Sequence, residues 1–311
     1  MNKKILSLAV AAAVAAPMAA QADVSVNGAV SRDMYTDSTK TGLVGGDSGT
    51  SKLEINVKDG DAFAKAAWDI RGAAMPSTFT TTSSSTFTNY AMPAREQYAG
   101  VKVGGVSISI GRMANAYNGG VKVDTMTANF LEARNRPGGV AKVPSFVSGL
   151  LGFSGSAGDV SYAIQYGPAY ADMATDAGGS ADNPVAANVK FKAGPATVGI
   201  GYWADTAGNS TAGISGKMKF GYIAVAVSYE NADGAYIQGT TAGNTNNEIF
   251  ADVSMPMGNG TIGLGLGSNT DASTTFSRIS YQMKMGAAKI TIGGNSADGD
   301  TRMGAGMAVS F

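Results

Sequence analysis

The chain has 311 residues, with 23 Lys plus Arg balanced by 23 Asp plus Glu, and it contains no Cys and no His. Balanced charge gives a nucleic-acid partner nothing to hold, and without Cys there is neither a disulfide framework nor a thiolate metal site. Without His the usual general base, the Ser-His-Asp triad and the commonest metal ligand are all missing, and no carboxylate or Lys pair stands out as a substitute.

The N-terminus begins with Lys3 and Lys4, an apolar run over 5–16, Pro17, and Ala20-Gln21-Ala22 before Asp23. A basic start, a short apolar core and an A-x-A site read as a secretory signal peptide. The expectation is a signal at 1–22, cleavage between Ala22 and Asp23, and one mature domain over 23–311. No later apolar run approaches the ~20 residues of a membrane helix.

The mature chain instead divides into sixteen alternating segments of roughly ten residues: 24–34, 51–58, 61–71, 95–103, 106–112, 145–153, 159–167, 185–193, 196–204, 212–220, 222–231, 247–255, 261–268, 275–284, 288–293 and 301–311. Period 2 gives each strand two unlike faces. The connections alternate as well. Asp59-Gly60, Gly104-Gly105, Gly194-Pro195 and their equivalents are short, whereas 35–50, 72–94, 113–144, 168–184 and 232–246 are long. Short turns at one end and long loops at the other mark a transmembrane barrel. The expected fold is all-β, an antiparallel barrel of about 16 strands.

Outward aromatic residues fall at two levels, Tyr166, Tyr202 and Tyr229 near the loops and Phe191, Phe220 and Phe311 near the turns. Two aromatic girdles match the two interfaces of a bilayer. By parity Lys52, Glu54, Lys58, Lys65, Asp69, Arg71, Lys102, Lys190, Lys192, Lys217, Lys219, Asp252, Arg278, Lys284 and Arg302 face inward. That many charges require water, and a barrel of this size leaves an aqueous channel.

The last strand, TRMGAGMAVSF, alternates up to a terminal Phe311, and GVKVGGVSISIGR at 100–112 is a strand, a Gly turn and a second strand entering a long loop. With the signal, strand count and loop rhythm, the whole chain resembles the general porins of Gram-negative bacteria, nearest the neisserial and β-proteobacterial type. The resemblance implies an outer-membrane homotrimer for passive diffusion of small hydrophilic solutes, with no cofactor. Its partners would be the barrel-assembly machinery, with Phe311 as insertion signal, and the lipopolysaccharide around it.

The family's third outer loop folds into the lumen, and here that loop is 113–144. The resemblance makes Asp124, Glu132, Arg134, Arg136 and Lys142 candidates on the loop, and Lys65, Asp69, Arg71, Lys102 and Arg112 candidates on the wall facing it. The excess of inward Lys and Arg implies a mild anion preference. The later outer loops hold Asp172, Asp176, Asp298 and Asp300 without Lys or Arg, which makes them candidate divalent-cation ligands. A substrate-selective channel and a structural or adhesive barrel with a plugged lumen are the alternatives. The inward face carries no dense aromatic ladder for sugars.

Overall fold

The computed structural model describes residues 22–38, 43–46, 51–70, 94–122, 125, 143, 145–167, 183–206, 208, 210–233, 246–271, 273–297 and 299–311. The strand segments are β1 (Asp23–Asp37), β2 (Leu43–Gly46), β3 (Lys52–Asp59), β4 (Ala62–Asp69), β5 (Ala94–Val103), β6 (Val106–Ala114), β7 (Phe146–Ala157), β8 (Val160–Tyr166) and β9 (Val185–Ala193). They continue as β10 (Ala196–Ala204), β11 (Ser210–Phe220), β12 (Ile223–Asp233), β13 (Asn246–Met257), β14 (Gly260–Asn269), β15 (Thr274–Met285), β16 (Ala288–Ala297) and β17 (Asp300–Ser310). One short helix, α1 (Ala116–Val121), follows β6.

Both β2 and β3 pair with the same side of β1, β2 with residues 33–36 and β3 with residues 23–29. They are two halves of one interrupted strand, so the sheet is a closed antiparallel barrel of 16 strands. Among the described residues no helix is long and apolar enough to cross a membrane. Alternation together with turn chemistry produces this fold. Each two-residue turn at the short-turn end opens on a glycine with φ between 56° and 61°: Gly60, Gly104, Gly158, Gly194, Gly221, Gly258 and Gly286. Glycine with positive φ in the first turn position suits the right-handed twist of a two-residue hairpin. It also leaves the second position free for Pro195, whose φ is fixed negative.

The two faces separate cleanly. Outward side chains such as Ile110, Leu266 and Met303 stand 65%, 65% and 69% exposed, on a surface that lipid would cover. The Tyr166, Tyr202 and Tyr229 rings are outward at the loop end, and Phe220 and Phe311 are outward at the turn end. The 35–50 segment differs from a plain loop, because β1 runs on to Asp37 and Leu43–Gly46 pairs with it. Four residues, two of them glycine, carry too little periodicity to announce a strand.

Closure is made by β17 against β1, from Asp37↔Arg302 to Ala29↔Ser310. One step further, Gly28 and Phe311 exchange both backbone hydrogen bonds, at 2.9 and 3.0 Å. The Phe311 ring lies directly over Gly28, where any Cβ would collide with it. We expect Gly28→Val and Phe311→Ala each to lower the temperature at which the barrel band shifts on an unheated gel. Because each removes the same contact, worth up to about 1 kcal/mol, the double variant should be no worse than the poorer single. Additive losses would show that the ring and the glycine act separately.

Candidate functional site

The lumen is not an open cylinder. Helix α1 lies inside it, against β9, β10 and β11 with lesser contact to β8 and β12. AYNGGV is a poor helix sequence, with two glycines in six residues. The helix is held by its surroundings. Asn115 caps it, its side chain accepting from the Tyr117 amide at 3.0 Å. The Ala116 amide donates to Gln165 Oε1 at 2.8 Å, and Asn188 Nδ2 donates to the Ala116 carbonyl at 2.6 Å. Ser215 Oγ donates to the Gly120 carbonyl at 2.8 Å, and the Tyr117 hydroxyl donates to Glu230 Oε2 at 2.5 Å. Burial, and next the Glu230 carboxylate, push the Tyr117 phenol far above its ordinary value and keep it a donor. Further along, the Thr125 amide and hydroxyl both donate to Asp252 Oδ2, at 2.7 and 2.6 Å.

Glycines make the seat. A Cβ on Gly199 would strike the Gly120 carbonyl, one on Gly201 would meet Val121 and Tyr117, and one on Gly213 would come within 2.7 Å of Val121. Tyr117, Val121 and Trp203 form the buried cluster at this seat together with Val147, Leu150 and their neighbours. Opposite the helix a cavity of about 870 Å³ opens towards the short-turn end. Lys65, Glu96, Tyr98, Lys102, Ser107 and Ser109 line one side of it, and Asn115, Ala116 and Gly119 line the other.

The basic side chains on the inward face form two sets. In the first, each is paired. Lys65 lies 2.6 Å from Glu96 and 3.5 Å from Glu54, and Lys52 lies 2.7 Å from Glu54. Arg302 meets its direct register partner Asp37 at 3.0 Å. Arg278 reaches Asp252 at 3.0 Å by crossing Gly265, which stands between them in register. The second set lies near the short turns. Lys58, Lys102, Lys190, Lys219 and Lys284 have no ion-pair partner among the described residues, and Lys192 has only an exposed contact to Asp159 at 3.9 Å.

A closed barrel with a watery lumen, an inward helix and lipid-type girdles sets the class, and comparison with known proteins agrees. Residues 7–309 match the family described as Gram-negative porin. The chain belongs to the Gram-negative porin family. Among solved structures it is similar to a loop-deletion mutant of OmpT, an outer membrane protein of Vibrio cholerae, with TM-score 0.70, 13% identity and coverage of 94% of this chain and 100% of that one. It is equally similar in sequence, at 13%, to an anion-selective porin from Comamonas acidovorans and to a mutant of Rh. blastica porin. Each of those has TM-score 0.62 and coverage of 93% and 100%. At such identity these likenesses establish the fold. No curated protein matches the sequence. The porin is a multi-pass protein of the outer membrane and forms a diffusion channel.

Of the wall residues expected from sequence, Lys65 and Lys102 line the cavity, and Asp69 is inward but paired with Arg95 at 2.9 Å. Arg112 is a correction. Its register partner is Gln97, on the face opposite to Tyr98 and Lys65, and its guanidinium donates to the Ala94 carbonyl and to Ser148, both at 2.9 Å. Arg112 shares the parity of outward Ile110 in the unbroken register with β5, so it stands outside the lumen wall. Arg71, Asp124, Glu132, Arg134, Arg136, Lys142, Asp172, Asp176 and Asp298 lie outside the described residues. Asp300 is exposed, and no group able to hold a metal gathers among the described residues. The residues that seat α1 escaped the sequence reading, although glycine at alternate inward positions of β10 was a visible signal.

Substitution at the seat should alter conduction. Gly199→Val and Gly213→Leu push α1 towards the cavity, and we expect single-channel conductance below that of the parent. Gly216→Ala on the same strand meets nothing closer than 3.8 Å and should leave it unchanged.

Proposed function

We propose that this porin passes small hydrophilic solutes without a dedicated substrate, works as a homotrimer, and mildly prefers anions. The observation that carries the reading is the division of lumen charge. Acids offset the basic groups around the narrow part, while Lys58, Lys102, Lys190, Lys219 and Lys284 near the short turns have no ion-pair partner among the described residues. Rings of Lys in a pore favour anions. Lys65 and Tyr98 on one side and α1 on the other bound the constriction. The remainder of 113–144, with Asp124, Glu132, Arg134, Arg136 and Lys142, would complete it. In this reading residues 1–22 direct export and Phe311 directs insertion. The anion-selective porin of Comamonas acidovorans supports the sign of the preference by likeness of fold.

Reversal potentials across a KCl gradient test the selectivity. The expected result is anion preference at low salt that fades as salt rises, because a Debye length of ~8 Å at physiological salt shortens further. Clear cation preference at low salt would defeat the reading. For the trimer, unheated protein in detergent should migrate as a species near three times the chain mass. A folded band at monomer mass would contradict the assembly.

A further inference from the structure

Two aromatic rings, Phe63 and Tyr98, face the lumen on the wall across from α1. In register Phe63 of β4 stands between Lys58 of β3 and Gly100 of β5, and Lys65, two residues further along β4, stands opposite Tyr98. Directly opposed residues of a sheet share a face, and Lys58, Phe63, Lys65 and Tyr98 all line the cavity of about 870 Å³. A cavity of that size accommodates a small ligand. The two rings meet edge to face, with centroids 6.4 Å apart and planes at 78°. Phe63 lies over β5 because Gly100 leaves it room, a Cβ there coming within 2.5 Å of the ring. The ring is half-buried, so part of it stays open to the channel.

A phenyl ring in an aqueous lumen has no polar handle, and what it can gain there is contact with another apolar surface. Its charged neighbours differ on its two sides. Towards the constriction, Lys65 is held by Glu96 at 2.6 Å and by Glu54 at 3.5 Å. Beside the ring Lys58 opposes it directly, and nearer the turns Lys102 lies on its diagonal. A diagonal separation of about 7–8 Å is within reach of a lysine stem. Lys58 and Lys102 are exposed and have no ion-pair partner among the described residues. Asp23, which opposes Lys58, and Asp61, whose carbonyl accepts from the Lys102 amide, are exposed and pair with neither ammonium group. Ser107, the register partner of Lys102, adds a hydroxyl to the same side.

We propose that Phe63, Tyr98, Lys58, Lys102 and Ser107 form a binding subsite for aromatic carboxylates. The ring of the solute rests against Phe63 and Tyr98, and its carboxylate meets the two ammonium groups and the hydroxyl. A small inorganic anion engages the lysines alone, and a neutral aromatic solute engages the rings alone. A solute that carries both parts is retained and obstructs the current. The inference rests on the diffusion-channel reading and adds a location, a solute class and a saturable interaction.

The test uses purified full-length porin in planar bilayers in KCl, with benzoate as probe and acetate and benzamide as comparators. In parent channels benzoate should reduce the current in a concentration-dependent, saturating manner. Acetate, which lacks the ring, and benzamide, which lacks the charge, should need at least about fivefold higher concentrations. F63L should need about two- to tenfold more benzoate, the range for a lost ring pair, with its response to acetate unchanged. K58Q/K102Q should raise the benzoate requirement by a similar factor, and it decides the matter if F63L fails to insert. F63Y should retain the block. Equal block of the parent and F63L would mean that Phe63 merely covers Gly100, and would overturn the site. Equal responses to benzoate and acetate, or a loss in K284Q equal to that in K58Q/K102Q, would place the effect in the general field and overturn it too. Absence of benzoate block in parent channels that still conduct and prefer chloride would overturn the site and leave the channel reading intact. Protein that forms no conducting channel would remove both.

Discussion

The constraint on which everything else depends is that a chain in hydrocarbon must pair its own backbone groups. Water is absent there, and each unpaired N–H or C=O costs several kcal/mol. A sheet meets the demand only by closing on itself. The β1–β17 seam is therefore as necessary as any hairpin, although it joins the two ends of the chain and gains nothing from a local turn. Its register is fixed on the inside by Asp37 against Arg302 and on the outside by Phe311 over Gly28. A slip of one residue would expose both contacts and turn every side chain of β17 to the wrong face. Once the barrel closes, parity alone separates lipid-facing from water-facing positions.

Within the barrel, glycine is used to bring backbone and side chains across the wall. Gly199, Gly201 and Gly213 let α1 lie flat on β10 and β11, and Gly265 lets Arg278 reach Asp252 from two strands away. The helix is too short and too glycine-rich to persist alone. It exists because Gln165, Asn188, Ser215 and Glu230 satisfy its ends and its tyrosine. The bore of the channel is thus determined by tertiary contacts with β8 to β12, and the facing wall of β4 to β6 is left free to define the passage.

Strands were legible from sequence because alternation and turn glycines recur through the whole barrel, each repeat confirming the last. Inward parity was legible wherever a strand was regular. Arg112 follows Ile110 on the outward parity of β6, and it was the family resemblance, not the alternation, that made it a wall candidate. Helix α1 was hidden, since its stability lies in residues 49 to 113 positions away in the chain. The ion pairs were hidden for a similar reason. Lys65 opposes Tyr98 in register and bonds the diagonal Glu96, a relation that appears only once the strands are aligned.

A tally of inward Lys and Arg treats every charge as equal, and the geometry separates them. Lys65 between Glu54 and Glu96, and Arg278 against Asp252, present dipoles to a passing ion, and a dipole's field decays faster than that of a single charge. Lys190 of β9, Lys219 of β11 and Lys284 of β15 have no ion-pair partner among the described residues and act as monopoles, screened by salt. They lie at the short-turn end, whereas the described loop acids Asp205, Asp271 and Asp300 lie at the other. The same net charge spread evenly would give a symmetric channel. Divided in this way among the described residues, it gives an axis, with acids at the loop end, paired charges beside α1 and unpaired lysines at the short-turn end.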